Sequence, residues 1–105
     1  MPHEKEIETA IQNSGATSPR LTPELIDAKI VNTHYYVPSN TTLTLCVLTL
    51  ANGFTVTGES ACASPENFNE EIGRKIAFEN ARQKIWMLEG YALRNYLHAS
   101  QVWEG

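Results

Sequence analysis

The dipeptide Asn52-Gly53 stands between two alternating runs, and no other feature of the chain restricts its fold so tightly. Residues 41–50 read TTLTLCVLTL, with Leu43, Leu45, Val47 and Thr49 on one side and Thr44, Cys46, Leu48 and Leu50 on the other. After the dipeptide, FTVTGESAC places Phe54, Val56 and Gly58 opposite Thr55, Thr57 and Glu59. Period-two alternation is a strand signal, and Asn-Gly suits the positive dihedrals of a type I′ hairpin turn. Residues 41–50 and 54–62 are therefore expected to form a hairpin, the first strand with both faces largely buried. The β-branched and aromatic segment Ile30–Val37 is expected alongside as a third antiparallel strand. His34, Tyr35, Tyr36 and Phe54 are most economically assigned to core and hairpin packing.

Around this sheet the sequence reads as helix. Thr22-Pro23-Glu24 has cap, proline and acid in the order that a helix N-terminus favours, with an end expected near Ala28. Residues 3–12 offer a short amphipathic helix with Ile7, Ala10 and Ile11 together, before the breakers of NSGATSP. Ser64-Pro65-Glu66-Asn67 repeats the cap grammar, and no later proline interrupts the chain. A long helical hairpin or kinked helix is expected from 65 to about 100, with Gly90 as the place of a break, since glycine in a helix interior costs about 1 kcal/mol relative to alanine. The fold class is α+β: a three-stranded antiparallel sheet packed with a long or kinked C-terminal helix pair and short N-terminal helices. At 105 residues this is one domain, 1–105, with 1–20 open to being a flexible N-terminal segment.

On a helical wheel Phe68, Ile72, Ile76 and Trp86 gather on one side, Phe78 and Ile85 lie well round from them, and Gly73 and Ala77 mark a small-residue strip. Only Glu71, Lys75, Glu79 and Arg82 read as a solvated stripe. Three strands cannot cover so much apolar surface, so a homodimer or higher oligomer is expected, against the alternative that the terminal helices fold back as cover.

Charge and motifs then limit the chemistry. With 8 basic and 12 acidic residues the net charge is −4, which argues against coating of duplex nucleic acid. No apolar run reaches the roughly 18 residues of a bilayer span, and Glu4, Glu6 and Glu8 are unlike a signal peptide, so a cytoplasmic protein is expected with no membrane partner. Cys46 and Cys62 have no metal-finger spacing and read as small buried hydrophobes. His3, His34 and His98 fall on separate segments, Glu70 and Glu71 diverge on a helix, and no hydrolase or metalloprotease motif occurs, so neither catalysis nor a metal nor a cofactor is expected.

The cations are nonetheless concentrated: Arg74, Lys75, Arg82, Lys84 and Arg94 are five of the eight basic residues. Arg74 lies one turn from Phe78, an arrangement suited to a phosphate with a stacked base. It equally suits an interface ion pair with Glu70 or Glu79 of a second copy. Tyr91, Arg94, Asn95 and His98 share one face, as a nucleotide grip or as a solvated surface. Asn80 sits in an apolar sector and calls for a backbone partner.

The stretches Asn52–Cys62, Asn67–Ala81 and Ile85–Tyr91, read as NGFTVTGESAC, NFNEEIGRKIAFENA and IWMLEGY, resemble a family of small tailed-phage and prophage proteins. That family includes the first type of anti-Thoeris sponge, which binds cyclic ADP-ribose isomers and silences a bacterial defence. The resemblance spans about residues 30–98. It implies a sheet with long helices, dimers that assemble further, and ligands near subunit boundaries, with cyclic oligonucleotides at a separate site in some members. Under it, charge and ring placement single out Arg74, Phe78, Arg82, Lys84, Tyr91, Arg94 and Asn95, with stacking by Phe78 or Tyr91 and phosphate contacts by the cations. The expected function is sequestration of a cyclic nucleotide immune signal without cleavage in the host bacterial cytoplasm. The alternative is a phage interaction module that binds a host protein through its oligomer surface.

Overall fold

The computed structural model describes residues 4–13 and 19–104, with side chains described to Ser100. His3 and residues 14–18 of the breaker segment lie outside them. The elements run α1 (Glu4–Asn13), α2 (Pro23–Lys29), β1 (Ile30–Tyr36), β2 (Leu43–Leu50), β3 (Thr55–Ala61), a 3-10 turn (Pro65–Asn67) and α3 (Glu70–Glu104). The sheet is antiparallel in the order β1-β2-β3, with Val47 opposite His34 on one side and Thr57 on the other. The α+β class and the three strands are as expected.

The hairpin turn differs in kind. Gly53 donates its amide to the Leu50 carbonyl at 2.8 Å, Leu50 donates to Phe54 at 2.8 Å, and among the turn residues only Gly53 has a positive φ, +89°. This is a three-residue loop with a left-handed glycine last, whereas a type I′ turn would need positive φ at Asn52 as well. Asn52 contributes through its side chain instead, its Oδ1 accepting the Phe54 amide at 3.0 Å.

α2 starts as its cap residues dictate: Thr22 Oγ1 accepts the Leu25 amide at 3.2 Å and Pro23 occupies the first turn. The C-terminal helix starts later than expected. Pro65 belongs to the 3-10 turn, and Asn69 is the residue that caps α3, its Oδ1 accepting the Ile72 amide at 3.1 Å. Nor does α3 break at Gly90; it is one helix of 35 residues. An added Cβ at Gly90 would meet only the Leu21 side chain, so packing does not force a kink there. At about 1.5 Å per residue, α3 is about 52 Å long, against about 25 Å for a strand of β2's length. It therefore runs well past the sheet and accounts for the 60 Å long axis of the molecule.

The face of α3 that meets the sheet is its small-residue strip. Gly73, Ala77, Ala81 and Ile85 are buried four residues apart, while Ile72 and Ile76, expected on the covered side, are exposed. The cause lies at Gly58 in β3: a Cβ there would fall inside the Ala77 carbonyl and the Ala81 amide, so helix and strand touch backbone to backbone. Large side chains cannot enter so close a crossing, and the wide apolar residues are displaced to the flanks.

Only one face of β2 is buried. Thr44, Cys46, Leu48 and Leu50 point under α3, whereas Leu43, Leu45, Val47 and Thr49 are half-buried on the opposite face. Tyr36, Phe54 and His34 are exposed, contrary to the packing assigned to them, and Tyr35 alone of that set packs against the core. Cys46 is buried as expected; Cys62 is half-buried, its thiol directed to the Ser64 carbonyl at 3.2 Å.

Candidate functional site

The most constructed polar cluster lies where α1 and α2 meet α3. Arg82 is 6% exposed, although its position read as part of a solvated stripe. Its Nε donates to Asp27 Oδ1 of α2 at 2.8 Å, its Nη1 to Glu4 Oε2 of α1 at 2.6 Å, and its Nη2 to the Pro23 carbonyl at 3.4 Å. Trp86, one turn along α3, donates its indole Nε1–H to the same Glu4 oxygen at 3.0 Å. A guanidinium and an indole thus converge on one carboxylate.

A second clamp stands nearby. Arg20 presents its fork to Glu8, Nη1 to Oε1 and Nη2 to Oε2, both at 2.7 Å. Bidentate pairs of this kind are the geometry in which arginine holds carboxylates and phosphates best. Between the clamps lies a cavity of about 290 Å³ with Ile7, Ile11, Leu21, Pro23 and Trp86 in its walls. Glu4, Glu8 and Gln83 are its polar lining and the rest is largely apolar, so the cavity has a greasy floor, with the guanidiniums and the indole N–H turned onto the two carboxylates at its edges.

These contacts set the ionisation of the cluster. The hydrogen bond from Arg82 is the largest influence on Glu4 and holds its carboxyl below the usual range against the cost of burial. Glu8 is likewise held down, chiefly by Arg20. Burial opposes the charge of Arg82, but the hydrogen bonds to Glu4 and Asp27 outweigh it and raise its pKa above the ordinary arginine value. Arg20 is raised in turn by its hydrogen bond to Glu8, and Glu4, Glu8, Arg20 and Arg82 are all charged at neutral pH.

The other residues singled out from the sequence are not gathered here. Arg74 pairs with Glu70 of its own chain at 2.7 Å and lies over the Tyr35 ring, 5.3 Å from its centre, so its aromatic neighbour is Tyr35 rather than Phe78. Phe78 is half-buried against the core. Lys84 lies on the β3 side near Asn80 and Glu59. Asn80 finds the expected backbone partner, donating to the Glu59 carbonyl at 2.9 Å, but in an exposed position. Tyr91, Arg94, Asn95 and His98 are exposed on the part of α3 beyond the sheet. Within one protomer the seven residues therefore form no single cluster: Tyr91, Arg94 and Asn95 share the projecting part of α3, and the other four lie elsewhere.

Sequence reasoning missed Trp86, Glu4, Arg20 and Asp27 as members of the cluster. Glu4 and Arg82 are 78 residues apart and Asp27 and Arg82 55 apart, distances that no helical or strand periodicity reports. The one available signal was the Arg82–Trp86 spacing of four on a helix, which places cation and indole on one face.

No group of metal-binding side chains occurs among the described residues, and no helix among them is long and apolar enough to cross a membrane. Comparison with known sequences gives a match to the phage protein (N4 Gp49/phage Sf6 gene 66) family over residues 21–97. No curated protein and no solved structure matches.

Proposed function

The chain belongs to the phage protein (N4 Gp49/phage Sf6 gene 66) family, and from that premise we propose that it is a non-enzymatic sponge for cyclic nucleotide immune signals. Its ligands in this reading are cyclic ADP-ribose isomers, with cyclic oligonucleotides as a further class, and it acts in the bacterial host cytoplasm. The resemblance of residues 30–98 to the family that includes the anti-Thoeris sponge supports it. The observation that carries it furthest is the Arg82–Trp86 pair beside an apolar cavity, a set of groups matched to a phosphate attached to a planar ring. Sequestration demands tight binding, and a nanomolar constant corresponds to about −12 kcal/mol, which a small ligand reaches through several charge-assisted contacts.

The sponge is a homodimer or larger assembly. Tyr91 and Tyr96 on the projecting part of α3 are 71% and 67% exposed, and half of the apolar residues of β2 lie on its outer face, surfaces that a second copy covers. Tyr91, Arg94, Asn95, Lys84 and Arg74 join ligand sites across the boundary between subunits. The same exposed rings favour a second reading, an interaction module that binds a host protein. A thermal-shift screen against cyclic ADP-ribose isomers, cyclic dinucleotides and cyclic trinucleotides separates the two. A ligand at a hundred times its dissociation constant stabilises a protein by about 2.7 kcal/mol, a shift of several degrees. No shift with any of them, together with capture of a defined host protein, overturns the sponge and supports the module.

A further inference from the structure

We propose that α1 is an internal occupant of the ligand groove: Glu4 and Glu8 fill the places that two phosphoryl groups of a ligand take at Arg82, Trp86 and Arg20, and the ligand binds by displacing the helix. The inference rests on reading this cluster as a ligand site, and adds to it the number and spacing of the ligand's anionic groups and the device that guards them.

Three observations support it. The first is the form of the contacts: α1 meets the rest of the protein through two carboxylates set on guanidinium and indole donors, with Ile7 and Ile11 over the apolar floor between them. That is the outline of a doubly anionic compound with an apolar body. Glu4 and Glu8 are one turn apart, so their backbone origins are separated by about 6 Å along the helix axis.

The second observation is electrostatic. With α1 in place, Arg82 and Arg20 face Glu4, Glu8 and Asp27, and the contacting groups carry one negative charge in excess. Without it, Asp27 still holds Nε of Arg82, while the Nη1 edge of Arg82 and the indole N–H lose their acceptor and the Arg20 fork keeps only the Leu21 carbonyl, at 3.5 Å. The balance becomes positive, and a phosphodiester, with one negative charge and two free oxygens, offers these donors the same acceptor set as each carboxylate.

The third is the marginal attachment of the helix. α1 has 10 residues, below the length at which an isolated helix is stable, and none of them is buried. Its closure depends on the clamps and on one side of the cavity, which places it among the segments of lowest local stability. The donors Arg82 and Trp86 lie within residues 21–97 that match the family, and Glu4 and Glu8 lie before them. Arg20 directly precedes that stretch, so two of the groove's three donors belong to the shared fold and the occupant to the flanking segment.

The test uses the full chain and two measurements. Cyclic di-AMP, which carries two phosphates and two rings, is titrated into the wild type and into the Glu4→Gln/Glu8→Gln double variant, with calorimetry for affinity. Amide and indole resonances are followed in parallel, with Trp103→Phe in both proteins so that Trp86 is the single indole. The expected result is at least tenfold tighter binding by the double variant, because the cost of displacing α1 is removed. In the wild type, the Trp86 indole resonance should shift while the α1 amides move to unfolded positions. Equal or weaker binding by the double variant overturns the proposal, as do α1 amides that stay helical while the ligand binds. Absence of binding by either protein also overturns it. Cyclic ADP-ribose isomers titrated into the same two proteins keep the parent reading separate: if they bind tightly and α1 does not move, the sponge stands and the internal occupant falls. Should the double variant fold poorly, the wild-type amide shifts decide alone.

Discussion

The two halves of α3 have opposite environments, and the half richer in apolar residues, from Trp86 to Ser100, is the less buried one. From Glu70 to Ile85 the helix lies on the sheet, and its buried residues are a glycine, two alanines and Ile85, together with Arg82. From Trp86 to Ser100 none of the described side chains is fully buried, and Met87, Leu88, Tyr91 and Tyr96 are exposed. What distinguishes the halves is the distance to the neighbouring backbone, not the size of the side chains. Close approach at Gly58 selects small residues for the packed half, and the large residues beyond it are available to a partner. Apolar size along a long helix is therefore no guide to which of its residues form the core.

The sharpest way to break this comparison is Gly58→Ala. Its methyl group has to enter the Ala77–Ala81 backbone, which cannot yield as a side-chain end would, so the variant is expected to lose about 3 kcal/mol or more, visible as a large drop in the denaturant midpoint. A midpoint within a few tenths molar of wild type would show that helix and strand are not in backbone contact. Next in size, Ile85→Ala should cost about 2–5 kcal/mol, the usual range for an isoleucine truncated in a core. Met87→Ala, two residues on, should change the stability of an isolated protomer by less than about 0.5 kcal/mol. It should instead lower the apparent mass in sedimentation if the projecting half is an interface. A Met87→Ala loss as large as that of Ile85→Ala in a protomer shown to be monomeric would erase the distinction between the halves.

A third prediction concerns pH. Glu4 and Glu8 have pKa values below the unfolded carboxylate range, so their clamps are complete above about pH 4.3 and are lost as pH falls through the lower folded values. Amide exchange in α1 should accelerate in acid before that of β2, and Glu4→Gln/Glu8→Gln should abolish the acid dependence. Simultaneous loss of protection in α1 and β2 would contradict a separately held helix. The smallest effect is expected at Arg74, where the ion pair with Glu70 is exposed: Arg74→Gln should cost less than about 1 kcal/mol. A larger loss would mean that the stack on Tyr35 carries more than surface geometry suggests.

The sheet was legible in the sequence because alternation and turn chemistry are local, and β1 to β3 lie within a residue or two of where the pattern puts them. The start of α3 was not, because two cap sequences stand in tandem: Ser64-Pro65-Glu66 closes only a 3-10 turn, and Asn69-Glu70-Glu71 opens the helix. The packed face was misread because apolar size was equated with burial, whereas the crossing at Gly58 inverts that rule. For the site, Arg82 and its charge were legible, but not its burial. The groups that bury it, Glu4, Asp27 and Pro23, come from two other elements, and α1 was open to being read as flexible until its carboxylates were found on Arg82 and Arg20. Arg74, Lys84, Tyr91, Arg94 and Asn95 were chosen by charge and ring spacing along one helix, which says nothing about which sides of that helix share a site.

The central claim, that this protein captures a cyclic nucleotide and leaves it intact, is tested most directly by recovery. The protein is incubated with a cyclic ADP-ribose isomer, freed of unbound ligand, denatured by heat, and the released compound is identified by mass and chromatographic position. The account predicts release of the unaltered isomer in stoichiometric amount; a cleaved product, or no nucleotide at all in the released fraction, contradicts it.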